Sequence, residues 1–325
     1  MAIYSKSRTQ LLYDVETTFG SDPAVAAAIS LPYISLPDIA ISQEPVQSTV
    51  IGGGNRNPRK PTYGNKSSDC SINMQLELTA IGYLLKALMG APTTTDNGDG
   101  TYSHVFKIGN TISSFLLEKG FVDVGNYYKY NGLVANGLSF SIAPGDSGLN
   151  YTLNCLGGGY EELDASDPYD AAPTDLTRPD DWVFKPDATI KEGGSSDNAI
   201  SDFTLDITDN MELVYGLNGA GRATCKGTSS PKVSGTITSG YNGDAKLLKG
   251  REHTESSLEV TTTDSTKTPN ESLIISIPEL EYGQTNPAVD SPGLAVYTQA
   301  WVGYYQNGAD ASAIKITLTN DTASY

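Results

Sequence analysis

The sequence predicts a mainly β protein built as two tandem units of one plan. Three observations carry this. Many short segments are rich in Thr, Ser, Val, Ile and Tyr, which suit a pleated, half-buried surface. Glycine is abundant between them, 33 residues in 325. The second half then repeats the order of elements in the first.

In the first half, IAI (39–41) reads as a strand that enters a Gly-rich basic stretch, STVIGGGNRNPRKPTYGNKSS (48–68). SINMQLEL (71–78) is the strand that leaves it. LTAIGYLLKALMG (78–90) is a helix: Ile81, Leu84, Leu85 and Leu88 recur at helical spacing, and Gly90 with Pro92 supplies the stop. It is expected to pack on the outside of its sheet, with Leu84, Leu85 and Leu88 covered. SHVFKI (103–108) and FLLEKG (115–120) follow as strands. Leu138, Phe140 and Ile142 alternate with Ser139 and Ser141, and APGDSG then makes a turn. Tyr151 and Leu153 resume a strand that Gly157 to Gly159 end.

Segment 161–187 differs, with nine acidic residues against two basic and four prolines. It has no periodicity and reads as a solvated connecting loop. Beyond it come FTLDIT (203–208), KVSGTIT (232–238), a helical turn in GDAKLLKG (243–250), SLEVTTT (257–263), SLIISI (272–277) and AIKITLT (313–319). The expected organisation is a first domain over 1–160, an acidic linker over 161–187 and a second domain over 188–325.

The repeat is carried by order and by a near-constant offset. Arg56 and Arg222 are 166 residues apart, as are Lys60 and Lys226. IAI falls on LDI (205–207), SINMQLEL on KVSGTITS and LLK (84–86) on LLK (247–249). Continued past the helix, the alignment sets SHVFKI on SLEVTT and FLLEKG on LIISIP (273–278). It then sets GLSFSI (137–142) on QAWVGYY (299–305) and YTLN (151–154) on ITLTN (316–320). A repeat this long means duplicated domains rather than solenoid units.

A net charge of −17 and a pI of about 4.4 argue against a surface that grips nucleic acid. They leave room for DNA as a neighbour that slides past a repelling wall. Cys70, Cys155 and Cys225 are odd in number and form no C-x-x-C, so buried thiols are expected rather than disulfides or zinc. The N-terminal residues show no apolar export signal and no run reaches membrane-spanning length, so no membrane anchor is expected.

The residues offer no catalytic constellation. His104 and His253 stand in unlike contexts, and no G-x-S-x-G elbow occurs. GGGNRNPRK lacks the G-K-[ST] ending of a phosphate loop. Asp180 and Asp181 lie in the acidic linker, where like charges are solvated. The expectation is no enzyme, no cofactor and no metal. The two basic loops remain. They are either exposed turns or arms that dock on another acidic copy of the chain through Arg56, Arg59, Lys60, Arg222 and Lys226, since arginine pairs bidentately with carboxylates.

With those loops in place, the chain resembles the major tail tube proteins of long-tailed bacteriophages. The resemblance rests on VETTFGSDP…LPYISLP, on GGGNRNPRKPTYGNKSS followed by a strand and AIGYLLKALMG, and on GTYSHVFKIGNTISSFLLEKG. It continues in NYYKYNGLVANGLSFSI and in SLIISIPELEY…WVGYYQNGADASAIKITLTN. It implies β-sandwich or barrel domains, each with a flanking helix, and a structural virion protein. Copies would join inner sheets into rings that stack helically into a tube. A tape-measure protein would fill the tube and tail-end proteins close it; double-stranded DNA would pass later without specific binding. Two such domains per chain imply a ring of three chains with pseudo-sixfold symmetry, a hexamer being the runner-up. Assembly in the host cytoplasm and a place in the virion tail follow. The rivals are a phage decoration or baseplate protein, a β-rich surface or binding protein, and a β-rich carbohydrate hydrolase.

Overall fold

A computed structural model describes residues 8–49, 57, 59–143, 149–176, 188–217, 221–227, 230–287, 295–308 and 310–325. The first half contains β1 (Thr9–Val15), β2 (Ile29–Ser30), β3 (Ala40–Val46), β4 (Thr62–Gln75), α1 (Ala80–Met89), β5 (Thr93–Asp96) and β6 (Tyr102–Lys107). It continues with β7 (Phe115–Phe121), β8 (Asn126–Ile142), β9 (Asn150–Ala165) and β10 (Thr174–Asp175). The second half contains β11 (Ala188–Glu192), β12 (Ser195–Ser196), β13 (Ile200–Thr208), β14 (Glu212–Val214), β15 (Cys225–Gly227) and β16 (Lys232–Gly240). It ends with α2 (Ala245–Glu252), β17 (Ser256–Asp264), β18 (Glu271–Tyr282), β19 (Val296–Gly303) and β20 (Lys315–Asn320). Eighteen strands form one open, mainly antiparallel sheet, not a closed barrel, and β14 with β15 forms a separate ribbon.

The two halves pair their strands in the same order. The first runs β2-β1-β7-β8-β9-β4-β3 and the second β12-β11-β17-β18-β19-β16-β13, antiparallel throughout. In each, a helix follows the second strand of the long hairpin. Up to that helix the sequence alignment matches these elements. After it, the alignment slips by one strand. The β5–β6 hairpin is inserted between α1 and β7, so Gln75 and Gly240 end equivalent strands 165 residues apart, while Phe115 and Ser256 begin equivalent strands 141 apart. A constant offset carried past an insertion assigns each later strand to its neighbour. β7 therefore takes the place of β17, β8 of β18 and β9 of β19, while β20 lies outside the shared order.

The halves share one sheet and one core. Phe203 to Thr208 of β13 pair with Ile142 to Gly137 of β8. β20 pairs with β6, which is 208 residues away at the Lys315–Lys107 pair. Buried side chains from Leu11 to Leu318 form one continuous cluster. Segment 161–187, expected as a solvated loop, is partly built in. Residues 161–165 prolong β9, β10 pairs in parallel with β2, and Leu176 is buried; residues 177–187, with Asp180 and Asp181, lie outside the described residues.

Helix α1 has Leu84, Leu85 and Leu88 buried, as its spacing predicts. It packs against β8 and β6, two strands of the same sheet. Glu77 starts it: its fully buried carboxylate accepts the backbone N–H of Thr79 at 2.9 Å and of Ala80 at 2.5 Å. That satisfies donors a helix N-terminus otherwise leaves open, and places negative charge at the positive end of the helix dipole. In the second half, Gly235 makes room for the buried ring of Trp301, which stacks on Phe203 at 5.9 Å.

Candidate functional site

The most elaborate local construction is the place where the second hairpin crosses onto the first half. Beyond β13 the chain turns away from the sheet. Asp209 donates its N–H to the Asn136 carbonyl at 2.9 Å, and Met211 donates its N–H to the Asn136 side chain at 2.7 Å. Met211 then packs in a small apolar cluster with Ile112 and Val134. The arm runs out along β14 and returns along β15, and its return lies over β4 and β9. Lys66 donates its N–H to Gly221 O at 2.6 Å, and Ala223 donates its N–H to Gly158 O at 3.2 Å. Tyr215 donates its hydroxyl to Lys66 O at 2.9 Å, and Tyr160 donates its hydroxyl to Ala223 O at 2.7 Å. Arg222 sits over the Tyr160 ring, 5.1 Å from its centroid.

Glycine makes the seat for this ring. Gly20 and Gly132 have φ of +71° and +66°, a region side chains rarely adopt. A Cβ on Gly20 would lie 2.7 Å from the Tyr160 ring, one on Gly132 3.2 Å and one on Gly158 3.0 Å. Phe19 meets the ring edge-on at 6.0 Å. Gly157 to Gly159, expected to end a strand, continue through β9, and their bare backbone lets the arm lie flat. The signal in the sequence was the run LGGGY itself; nothing local to it says that residues sixty positions later cover it.

The candidate contact residues divide. Arg222 is half-buried and engaged within its own chain, at the junction of the two halves. Lys226 stands in β15 opposite Leu213. Arg59 and Lys60 are exposed just before β4. Arg56 lies outside the described residues.

The buried carboxylates serve backbone donors. Glu16 accepts the N–H of Gly132 at 2.7 Å and of Gly20 at 2.9 Å; burial pushes its pKa up, and these bonds oppose the shift. Glu118 accepts the Tyr169 N–H at 2.8 Å, and burial raises its pKa also. Asp14 accepts the Ala27 N–H at 3.0 Å and the Tyr169 hydroxyl at 2.9 Å. Each is spent on holding chain segments together. Among the described residues no group of three or more His, Cys, Asp or Glu could hold a metal. No helix among them is long and apolar enough to cross a membrane.

The arrangement is therefore one of edges, arms and a doubled sheet. The sequence model of the phage tail tube protein family matches residues 6–303, which span both halves. The chain belongs to the phage tail tube protein family. Members are structural proteins of the virion tail that assemble into its tube. No curated protein matches the chain.

Proposed function

We propose that this protein polymerises into stacked rings that form the tail tube and serve as the conduit for double-stranded DNA during ejection. The observation that carries the reading is the doubled strand order within a chain of this family. Residues 1–160 and 188–325 are then two tube domains, and three chains close a ring of six similar lobes. Duplication halves the number of copies a closed ring needs. The internal β8–β13 seam supports this, because it already joins one domain to the next by strand pairing. The outer edge of β3, in the position equivalent to β13, is the edge left for a neighbouring chain.

The charge of −17 fits a wall along which DNA slides without sticking. A tape-measure protein occupies the lumen during assembly in the host cytoplasm, and tail-end proteins close the tube. No catalytic step and no cofactor belong to this role. Arg56, Arg59, Lys60 and Lys226 lie on the arms and meet neighbouring copies or rings. Electron microscopy of the purified protein at high concentration tests the reading. Rings of three chains with six lobes are expected; six chains per ring would overturn the pseudo-sixfold arrangement, and a persistent monomer would count against self-assembly.

A further inference from the structure

The second arm shows how a tube domain receives an arm, and that template has an unfilled counterpart. Along the sheet the strands run β3-β4-β9-β8-β13-β16-β19. The arm that leaves β13 and β16 lands on β4 and β9, one domain over, towards β3. The first arm, residues 47–61, leaves β3 and β4 from the same place in the plan. The same step, taken from β3 and β4, would lead off the edge of this sheet to a second chain whose β16 and β19 stood where β4 and β9 stand here.

The landing ground can be named. Gly157 of β9 pairs with Ser68 of β4, and Gly303 of β19 pairs with Val233 of β16. Past Gly157 come Gly158 and Tyr160, which the second arm covers. Past Gly303 come Tyr304 and Tyr305. There Tyr305 is 60% exposed and Val302 on the adjoining strand 48% exposed. Carboxylates lie around Tyr304. Tyr304 donates its N–H to the Glu279 carbonyl at 3.1 Å, and Glu281 stands opposite Val302 in the β18–β19 pair; burial first and then Glu255, Glu279 and Glu281 push the Tyr304 pKa up to about 12. The His253 ring nitrogen Nδ1 is hydrogen-bonded to the Glu281 carboxylate. The first arm has the opposite character. It carries Arg56, Arg59 and Lys60 and no acidic residue, in a chain of net charge −17.

Resting on the tube reading, we propose that the first arm of one chain docks on a second copy at Tyr304 and Tyr305, with its cations against Glu255, Glu279 and Glu281. This repeats between chains the contact that residues 209–227 make within one. Exposed aromatic rings take a guanidinium face, as Tyr160 takes Arg222, and the carboxylates fix the arm's register and steer its approach.

The test uses the full-length chain. Glu279→Lys with Glu281→Lys should raise the concentration needed for assembly by about tenfold or more at low salt, as like charges meet across the contact. Arg56→Glu, Arg59→Glu and Lys60→Glu together should do the same. Both sets in one chain should restore assembly, because the pairing is reversed but complementary. Circular dichroism checks that each variant is folded. Independently, Asn57→Cys with Tyr305→Cys, in a Cys225→Ser background, should give covalent oligomers when assembled protein is oxidised. Assembly indifferent to the patch reversal, no rescue in the combined chain, or a cross-link closing only within single chains would overturn the dock and leave the tube standing. Wild-type protein that never leaves the monomer would overturn both.

Discussion

Gly82 in α1 and Tyr325 occupy one another's space. A Cβ built on Gly82 would lie 2.1 Å from Cζ of Tyr325. The ring is held there from several sides. Its hydroxyl donates to Thr79 O at 3.0 Å and lies 2.5 Å from the Asn320 amide nitrogen. Its faces and edges meet Tyr83 and His104, each at 4.8 Å between centroids. Glycine inside a helix ordinarily costs about 1 kcal/mol relative to alanine, so Gly82→Ala on an isolated helix would stabilise. Here the sign reverses: the ring must leave its partners, and overpacking of this kind costs about 1–3 kcal/mol. Urea unfolding of Gly82→Ala should show that loss. A gain in stability would mean the ring yields freely.

The seat of Tyr160 gives a second expectation. Tyr160→Phe keeps the ring among Gly20, Gly132 and Gly158 but removes the hydroxyl bond to Ala223 O, a loss of about 1 kcal/mol. Tyr160→Ala also empties the seat and should cost about 3 kcal/mol or more. Hydrogen exchange separates global from local loss. The Lys66 and Ala223 amides, which bond Gly221 O and Gly158 O across the junction, should exchange faster in both variants. Amides of α1 should be unchanged in Tyr160→Phe. Equal exchange at Lys66 and Ala223 in wild type and Tyr160→Phe would show that the bond does not hold the arm.

His104 makes stability depend on pH. It is buried, with Nδ1 2.8 Å from the Thr94 hydroxyl oxygen and Nε2 2.8 Å from the Thr322 carbonyl oxygen. A carbonyl only accepts, so Nε2 carries the proton and Nδ1 accepts from Thr94. Burial lowers the pKa below its ordinary 6.5, against the raising effect of the Thr322 and Asn320 contacts. The unfolded chain therefore takes up a proton before the folded chain does. Stability from this group is complete above the ordinary value and falls as pH drops through 6.5 towards the folded pKa. Calorimetric melting from about pH 8 to about pH 5 should show the fall, and His104→Gln should flatten it. Parallel curves would assign the fall to other groups.

Much of this fold is legible in the sequence, for local reasons. Helical spacing of Leu84, Leu85 and Leu88 and the alternation of Leu138, Phe140 and Ile142 each reflect burial of one face, and the structure buries them all. The hairpin–helix order that opens both halves is legible for the same reason. What escapes the sequence depends on distant partners. The β6–β20 pairing joins segments whose patterns look like any other strand, and the β5–β6 insertion breaks the repeat without altering composition. The roles of Glu16, Glu77 and Glu118 show only once the backbone N–H groups they accept from are known. The arms were legible as Gly-rich and basic. That Arg222 would be occupied by Tyr160 of the same chain was not, because the glycines that seat the ring lie at 20, 132 and 158.

The shared sheet gives the last expectation. A chain of two separable domains would come apart when cut between them. Here β13 is zipped to β8 over six residue pairs, β20 to β6 over another six, and Asn320 donates its side-chain amide to Leu78 O at 2.7 Å. Cutting them apart would bare Leu138, Phe140, Ile142, Phe203, Leu205 and Ile207 along a raw strand edge, a template for aggregation. A protease site inserted between residues 177 and 187 should therefore give a nicked protein that stays one particle in gel filtration. The pieces should part only on unfolding, and a fragment ending at residue 176 produced alone should aggregate. Clean separation into two soluble pieces would show that each half completes its own core.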